Sequence, residues 1–339
     1  MNWNKTKIKI KSGELVEAQV PVIISASRST DIPAFYADWL INRLKEGYVK
    51  WKNPFNGVPL YVSFDKARLI VFWTKDAKPM IKHLDYLDER QLNYYFQFTL
   101  NDYDAEKLEP RVPNVQSRIE TFQQLSDKIG KEKVIWRFDP LVLTDKIGVD
   151  ELLRKVENIG NQLKNYTEKL IFSFANIKIY KKVQNNLKSN SIPYHEFNER
   201  TMNEFAAGLQ RLNENWHFEL ATCAEQIPLE KYGIVHNKCV DDDLMIKLFS
   251  NDKVLMDFLG VKIMPANMFN PNSTITKARD NKDKGQRKFC GCVVSKDIGE
   301  YNTCPHLCEY CYANANKNIA LINWDLHKQN NSKETIKGE

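Results

Sequence analysis

The chain is 339 residues long, with 42% hydrophobic and 27% charged side chains, proportions that exclude an intrinsically disordered protein and fit one large α/β unit or two smaller domains. Its formal charge of +6 is modest for that length. No apolar run approaches the roughly 20 residues of a membrane helix, and Met1 to Lys11 alternate basic and apolar side chains instead of forming the apolar core of a secretion signal, so the expected location is the cytoplasm, with no membrane partner.

Lys7 to Lys11 and Leu15 to Val20 alternate with period two around Ser12-Gly13-Glu14, which predicts an N-terminal β-hairpin within 1–20 that plugs one end of the fold. Nearly continuous apolar runs follow at Val22 to Ser25, Leu69 to Trp73, Tyr94 to Leu100, Lys133 to Phe138, Lys169 to Phe174 and Trp216 to Ala221, as in parallel strands covered on both faces. Helices are predicted between them at Pro33 to Glu46, Lys78 to Leu87, Val115 to Ile129, Val149 to Leu163, Ile179 to Leu187 and Asn198 to Asn213. Pro33 suits a first turn, and Gly47 and Gly130 stand where stop glycines belong. Repeated β-then-α units with right-handed crossovers predict a parallel (β/α) barrel, or a partial TIM-like barrel, over 21–270.

Beyond Ala221 the pattern is irregular, with helical pieces around Gln226 to Tyr232 and Asp242 to Leu248 and an apolar segment Val261 to Met264. Residues 271–326 read as a basic linker and a cysteine-rich segment. From Asn272 to Lys288, six basic residues (Lys277, Arg279, Lys282, Lys284, Arg287, Lys288) face two acidic ones (Asp280, Asp283), as in a solvated face or a lid over a phosphate-bearing or nucleic-acid substrate. The polar segment 327–339 is expected to be a disordered tail.

In parallel barrels the working residues sit at the carboxyl ends of the strands. The candidates there are Arg28 and Asp31 after the first strand, Lys75 after the second, Arg137 and Asp139 at the end of the fourth, and Glu225 after the sixth. A charge leaving an apolar strand must be paired or solvated, since stranding it would cost roughly several kcal/mol. The structural alternatives are a helix cap for Asp31 and inter-strand ion pairs for the others. Phosphate-cradling loops, Gly-x-Gly-x-x-Gly after a strand and a nucleophile elbow are all absent from the sequence, which counts against nucleotide-binding and hydrolase classes.

Seven cysteines in a reducing compartment point to a metal or cluster rather than disulfides, and five of them fall between Cys290 and Cys311. They divide into Cys304, Cys308 and Cys311, spaced x3 then x2, and Cys223, Cys239, Cys290 and Cys292, which can form a second site holding an iron–sulfur cluster or structural zinc. Inert packing is the alternative for Cys223 and Cys239. Zinc on the Cys304–Cys311 loop would need a fourth ligand, with His306 the nearest candidate. The other histidines show no ligand spacing.

Cys304-Pro305-His306-Leu307-Cys308-Glu309-Tyr310-Cys311 resembles the cluster loop of the radical S-adenosylmethionine (SAM) enzymes. That resemblance implies a 4Fe–4S cluster on the three cysteines, SAM chelated by the open iron, Tyr310 near the adenine, an external electron donor, and SAM cleavage that starts hydrogen abstraction from a substrate. Ser25-Ala26-Ser27-Arg28-Ser29-Thr30-Asp31-Ile32-Pro33, Asn53-Pro54-Phe55-Asn56, Val71-Phe72-Trp73-Thr74-Lys75, Trp136-Arg137-Phe138-Asp139-Pro140 and Asp297-Ile298-Gly299-Glu300-Tyr301-Asn302-Thr303-Cys304 resemble domain-of-unknown-function family eighteen forty-eight over nearly 20–316. Radical SAM enzymes carry the loop after their first strand, whereas here it follows the sixth or a later one. Two other classes stay open: a nucleic-acid-binding module with a structural zinc or iron–sulfur site, and a cluster that only stabilises the C-terminal segment or senses redox state. A nucleotide or nucleic acid is the expected substrate class.

Overall fold

The computed structural model describes residues 3–54, 56–223, 225–264, 274–287 and 289–339. In chain order the elements are β1 (Lys5–Lys9), β2 (Leu15–Gln19), β3 (Ile23–Ala26), α1 (Ile32–Phe35), α2 (Ala37–Glu46), β4 (Tyr48–Lys52), β5 (Pro59–Ser63), β6 (Leu69–Thr74), α3 (Lys78–Ile81), α4 (Leu84–Glu89), β7 (Asn93–Thr99), α5 (Val115–Ile129), β8 (Val134–Leu141) and β9 (Leu143–Thr144). They continue with α6 (Val149–Leu163), β10 (Lys169–Phe174), α7 (Lys181–Ser189), β11 (Tyr194–His195), α8 (Glu199–Asn213), β12 (Glu219–Thr222), β13 (Ile234–His236), α9 (Asp242–Phe249), α10 (Lys253–Leu259), β14 (Val261–Met264), β15 (Thr274–Lys277), β16 (Lys296–Asp297) and α11 (Lys317–Gln329).

Eight strands form one sheet, all parallel, in the order β13-β12-β10-β8-β7-β6-β3-β16. Seven are laid down in chain order, and the eighth, β16, returns beside the first. Among the described residues no ladder joins β13 to β16, so the predicted barrel is seen as an open eight-stranded sheet. The two edge strands are short, and the segments next to them meet instead, with Val293 N donating to Val240 O at 3.0 Å.

Both faces of the sheet are covered, which is why its strands read as unbroken apolar runs. Ile24, Ile70, Phe72, Phe96, Trp136, Phe138 and Phe172 belong to the large core that also contains residues of α2, α5, α6 and α8. On the other face Ile23, Leu69, Val71, Tyr95, Ile135 and Ile171 pack with Met245 and Phe249 of α9 and Leu255, Met256 and Leu259 of α10. Each such side chain contributes about 1.5–3 kcal/mol by leaving water. Asp252, the N-cap of α10, receives Arg68 Nε at 2.9 Å and Asn93 Nδ2 at 2.7 Å, which fixes α10 at the starts of β6 and β7.

That end is therefore covered by α9 and α10. The hairpin forms, but β5 and β4 extend it into a separate sheet of order β1-β2-β5-β4. The helix predicted from Pro33 to Glu46 breaks at Tyr36, whose hydroxyl donates to Thr303 O at 2.5 Å. The strand predicted from Trp216 starts at Glu219 because the chain turns through His217 at φ +59°.

Residues 327–339, expected to be disordered, are packed against the fold. Trp39 Nε1 donates to Lys333 O, Arg43 Nη2 to Ser332 O and Lys50 N to Glu334 O, while Ile336 is buried. These residues supply acceptors that α2 and β4 would otherwise lack. The basic linker is partly structured too: β15 pairs antiparallel with β14, and Lys277 is paired with Asp242. Asn272, Ser273 and Lys288 lie outside the described residues. No helix among the described residues is long and apolar enough to cross a membrane.

Candidate cofactor site at the strand ends

The alternation of side chains along a strand places Ser25, Trp73, Gln97, Arg137, Asp139, Ser173 and Cys223 on one face toward the carboxyl ends of six parallel strands. Arg137 is buried there. Its Nη1 donates to Gln97 Oε1 at 3.0 Å and Cys239 Sγ at 3.1 Å, and its Nη2 pairs with Asp139, which also accepts from Ser173 Oγ. Arg28 and Arg137 both stack on Trp73, 5.1 and 5.5 Å from the ring, and Trp73 Nε1 donates to Ser25 Oγ at 3.1 Å. One guanidinium nitrogen of Arg28, Nη2, is buried without a hydrogen-bond partner. Glu225 accepts from Phe174 N at 3.0 Å, and burial pushes its carboxyl up to about 7.

The cysteine loop reaches these strand ends through β16. Asp297 accepts from Ser25 Oγ at 2.9 Å, Ser27 Oγ at 2.6 Å, Arg28 N at 2.8 Å and Gly299 N at 3.0 Å, which clamps the C-terminal segment to the end of β3. A Cβ on Gly299 would stand 2.1 Å from Ser27 Oγ and 2.6 Å from Ser27 Cβ. Gly299→Ala is therefore expected to push this clamp apart and to cost about 1–3 kcal/mol in urea unfolding. An unchanged unfolding midpoint would contradict the close approach.

Beyond the clamp the loop lies across α1 and the ends of β6 and β7. Asp31 caps α1 through Ala34 N at 3.0 Å and also accepts from Thr74 Oγ1 and Lys75 N, each at 2.7 Å. His306 Nε2 lies 2.9 Å from Asp31 Oδ2 and its Nδ1 lies 3.4 Å from Arg111 O. Both ring nitrogens thus have partners within the protein, which leaves neither directed at a metal. Behind Cys308 runs a buried ionic network in which Lys75 Nζ lies 2.7 Å from Glu109 Oε1 and 2.9 Å from Tyr310 Oη. Glu109 also pairs with Arg118 at 3.2 Å and accepts from Tyr310, while Asn101 Nδ2 donates to the Tyr310 hydroxyl at 3.0 Å.

Burial pushes the Cys304 and Cys308 thiols above the usual range, and the neighbouring Cys311 raises both further. The three are therefore close enough to repel one another as thiolates, a cost that a bound cation removes. Cys311 Sγ accepts from Ala313 N at 3.3 Å. Among the described residues no three cysteine sulfurs lie mutually within 4.8 Å, whereas zinc–sulfur bonds of about 2.3 Å would bring tetrahedral thiolates to about 3.8 Å from one another. That wider spacing fits a group larger than a single ion.

The other four cysteines also come together. Cys223 Sγ and Cys239 Sγ are 3.5 Å apart, and Cys292 Sγ accepts from Cys239 N at 3.2 Å and Val240 N at 3.4 Å. Cys292 is hydrogen-bonded to Cys239 on one side and Cys290 on the other. Hydrogen bonds from Cys223 and Cys292, then Arg137 and Arg28, hold Cys239 well below the ordinary thiol range.

A profile for a domain of unknown function, DUF1848, matches residues 23–313. The chain belongs to the DUF1848 family. The DUF1848 match runs from the first residue of β3 to two residues past Cys311, so it takes in the parallel sheet and all seven cysteines. No curated protein and no solved structure matches the chain.

Within this DUF1848 chain, Arg28, Arg137, Asp139 and Glu225 gather around the strand ends with Cys223 and Cys239. Asp31 and Lys75 lie under the Cys304–Cys311 loop, one as a helix cap bound to His306 and the other in the ionic network. Tyr310 shares that network. Sequence reading missed Asp297, Glu109 and Arg118. Asp297 had a local signal, standing in a polar segment just before Gly299, whereas Glu109 and Arg118 looked like ordinary loop and helix charges.

Proposed function

We propose that this DUF1848 chain is an iron–sulfur enzyme of the radical-SAM type, with Cys304, Cys308 and Cys311 holding a 4Fe–4S cluster and the polar strand ends, acting as the mouth of a partial barrel, holding the substrate. The observation that carries this reading is that three cysteines of one loop, with sulfurs not all within 4.8 Å of one another, lie over the carboxyl ends of a parallel sheet. Once bound, such a cluster with SAM supplies reductive cleavage of SAM and the start of hydrogen abstraction, using electrons from an external donor in the cytoplasm.

The chain's own residues position and shield. The Asp297 clamp and the Lys75–Glu109–Arg118 network fix the two sides of the loop, and the network also holds Tyr310, which the resemblance places near adenine. Arg28 and Arg137 both offer positive charge beside Trp73, which suits a carboxylate or a phosphate-bearing substrate such as a nucleotide or nucleic acid. Glu225, at about 7, can accept or return a proton near neutrality, and Asp139, held by Arg137 and Ser173, can orient a donor.

The test is anaerobic reconstitution with iron and sulfide, followed by reduction in the presence of SAM. Formation of 5′-deoxyadenosine is the expected result. An intact cluster that yields none rejects the reading, and colourless protein carrying stoichiometric zinc would favour the nucleic-acid-binding alternative.

A further inference from the structure

We infer that Cys223, Cys239, Cys290 and Cys292 form a second iron–sulfur site on the sheet face that carries Trp73 and Arg137, separate from the Cys304–Cys311 loop. The inference does not rest on SAM chemistry. It rests on where three separate segments of the chain converge.

Cys223 follows the end of β12, Cys239 follows β13, and Cys290 and Cys292 precede β16. The last two segments are the ones that meet between the sheet's edge strands, through the Val293 N to Val240 O hydrogen bond. The thiols follow one another in the order Cys223, Cys239, Cys292, Cys290, each within hydrogen-bonding distance of the next. They make two end pairs, Cys223 with Cys239 and Cys290 with Cys292, yet no three sulfurs lie mutually within 4.8 Å. A lone tetrahedral ion needs all four close together, whereas a cluster with more than one iron accepts a pair of thiolates at each end.

The surroundings supply what such a centre requires. Four thiolates around a dicationic cluster core carry net negative charge, and Arg137 reaches Cys239 Sγ at 3.1 Å while Arg28 is held 5.1 Å from the Trp73 ring, its buried Nη2 without a hydrogen-bond partner. Arg287 Nη2 lies 4.0 Å from Cys223 Sγ. Donors already point at the sulfurs, from Asn237 Nδ2 to Cys239 at 3.1 Å and from two backbone amides to Cys292. Tyr95 Oη and Gln97 Nε2 bind Cys239 O at 2.8 and 3.0 Å, locking the loop that carries it. Ile171, Ala221, Val240 and Val293 provide the apolar shell.

The experiment compares the intact chain with two variants, all reconstituted anaerobically with ferrous iron and sulfide and then desalted. In the triple variant Cys304→Ala, Cys308→Ala, Cys311→Ala, iron and acid-labile sulfide are expected to remain bound with visible absorption, and adding C239S and C292S is expected to reduce both to background. A folded triple variant that binds no iron and sulfide, or that binds one zinc without sulfide, overturns the inference. If the triple variant fails to fold by circular dichroism, C239S with C292S in the otherwise intact chain decides. Iron falling by about two to four atoms per chain supports the second site, and unchanged iron overturns it. Neither readout depends on SAM cleavage, so a failure of that reaction leaves this result interpretable.

Discussion

Cys308→Ala is expected to reduce 5′-deoxyadenosine formation to the level of a no-enzyme control while leaving urea stability of the cofactor-free chain within about 1 kcal/mol of wild type. The second expectation follows from size, because the change removes one sulfur, about as much apolar volume as a methylene, from a buried position. The first follows from the donor set, since two remaining thiols on this loop cannot hold three corners of a cluster and the neighbouring Glu109 carboxylate is paired with Lys75 and Arg118. His306 is bound to Asp31 and Arg111, and Lys75, the neighbouring charge, cannot ligate as an ammonium. Product assay and urea titration on the same preparation separate the possibilities. A variant that loses stability but still makes product would assign the loop a structural role.

Glu109→Gln is expected to destabilise the protein by about 3–5 kcal/mol at neutral pH, because it leaves Lys75 buried without its acidic partner and Arg118 with Asp104 alone, 3.5 Å away. Burial by itself would push the Glu109 carboxyl up, but Lys75 and Arg118 outweigh it and hold the group at about 2, against an ordinary 4.5. A carboxyl lowered in the folded state stabilises the protein at pH values above its ordinary pKa. The benefit shrinks as pH falls from about 4.5 and is gone below about 2; a shift of this size corresponds to about 3 kcal/mol. Urea unfolding of wild type and variant at several pH values should therefore show a gap that is widest at pH 7 and closes in acid. A gap independent of pH would mean that shape, and not charge, holds this network. Because Tyr310 and Cys308 border the same charges, the variant should also bind iron less tightly.

Much of the framework was legible in the sequence because the relevant physics is local. Apolar runs marked β3, β6, β7, β8, β10 and β12, though not β4, β5, β9 or β11, and the 3.6-residue period gave α5 and α6 with the bounds seen in the structure. The short Cys304–Cys311 loop was readable because its three thiols sit within one turn-rich stretch. Other elements left weaker signals. β16 has two residues and β13 three, too few to show a pattern, and residues 327–339 read as a polar tail although Ile336 and several backbone carbonyls anchor them.

By itself, then, the sequence determined the order of the β/α units, the character of the sheet and the existence of a three-thiol loop, since each depends on neighbours only a few residues apart. Tertiary structure decided which distant groups meet. Asp297 clamps Ser25 across 272 positions, Cys239 Sγ lies beside Arg137 across 102, and Tyr310 joins Glu109 across 201. Such contacts depend on strand register and on the chain returning to its first strand, and a buried charge becomes favourable only when its partner arrives from elsewhere in the fold.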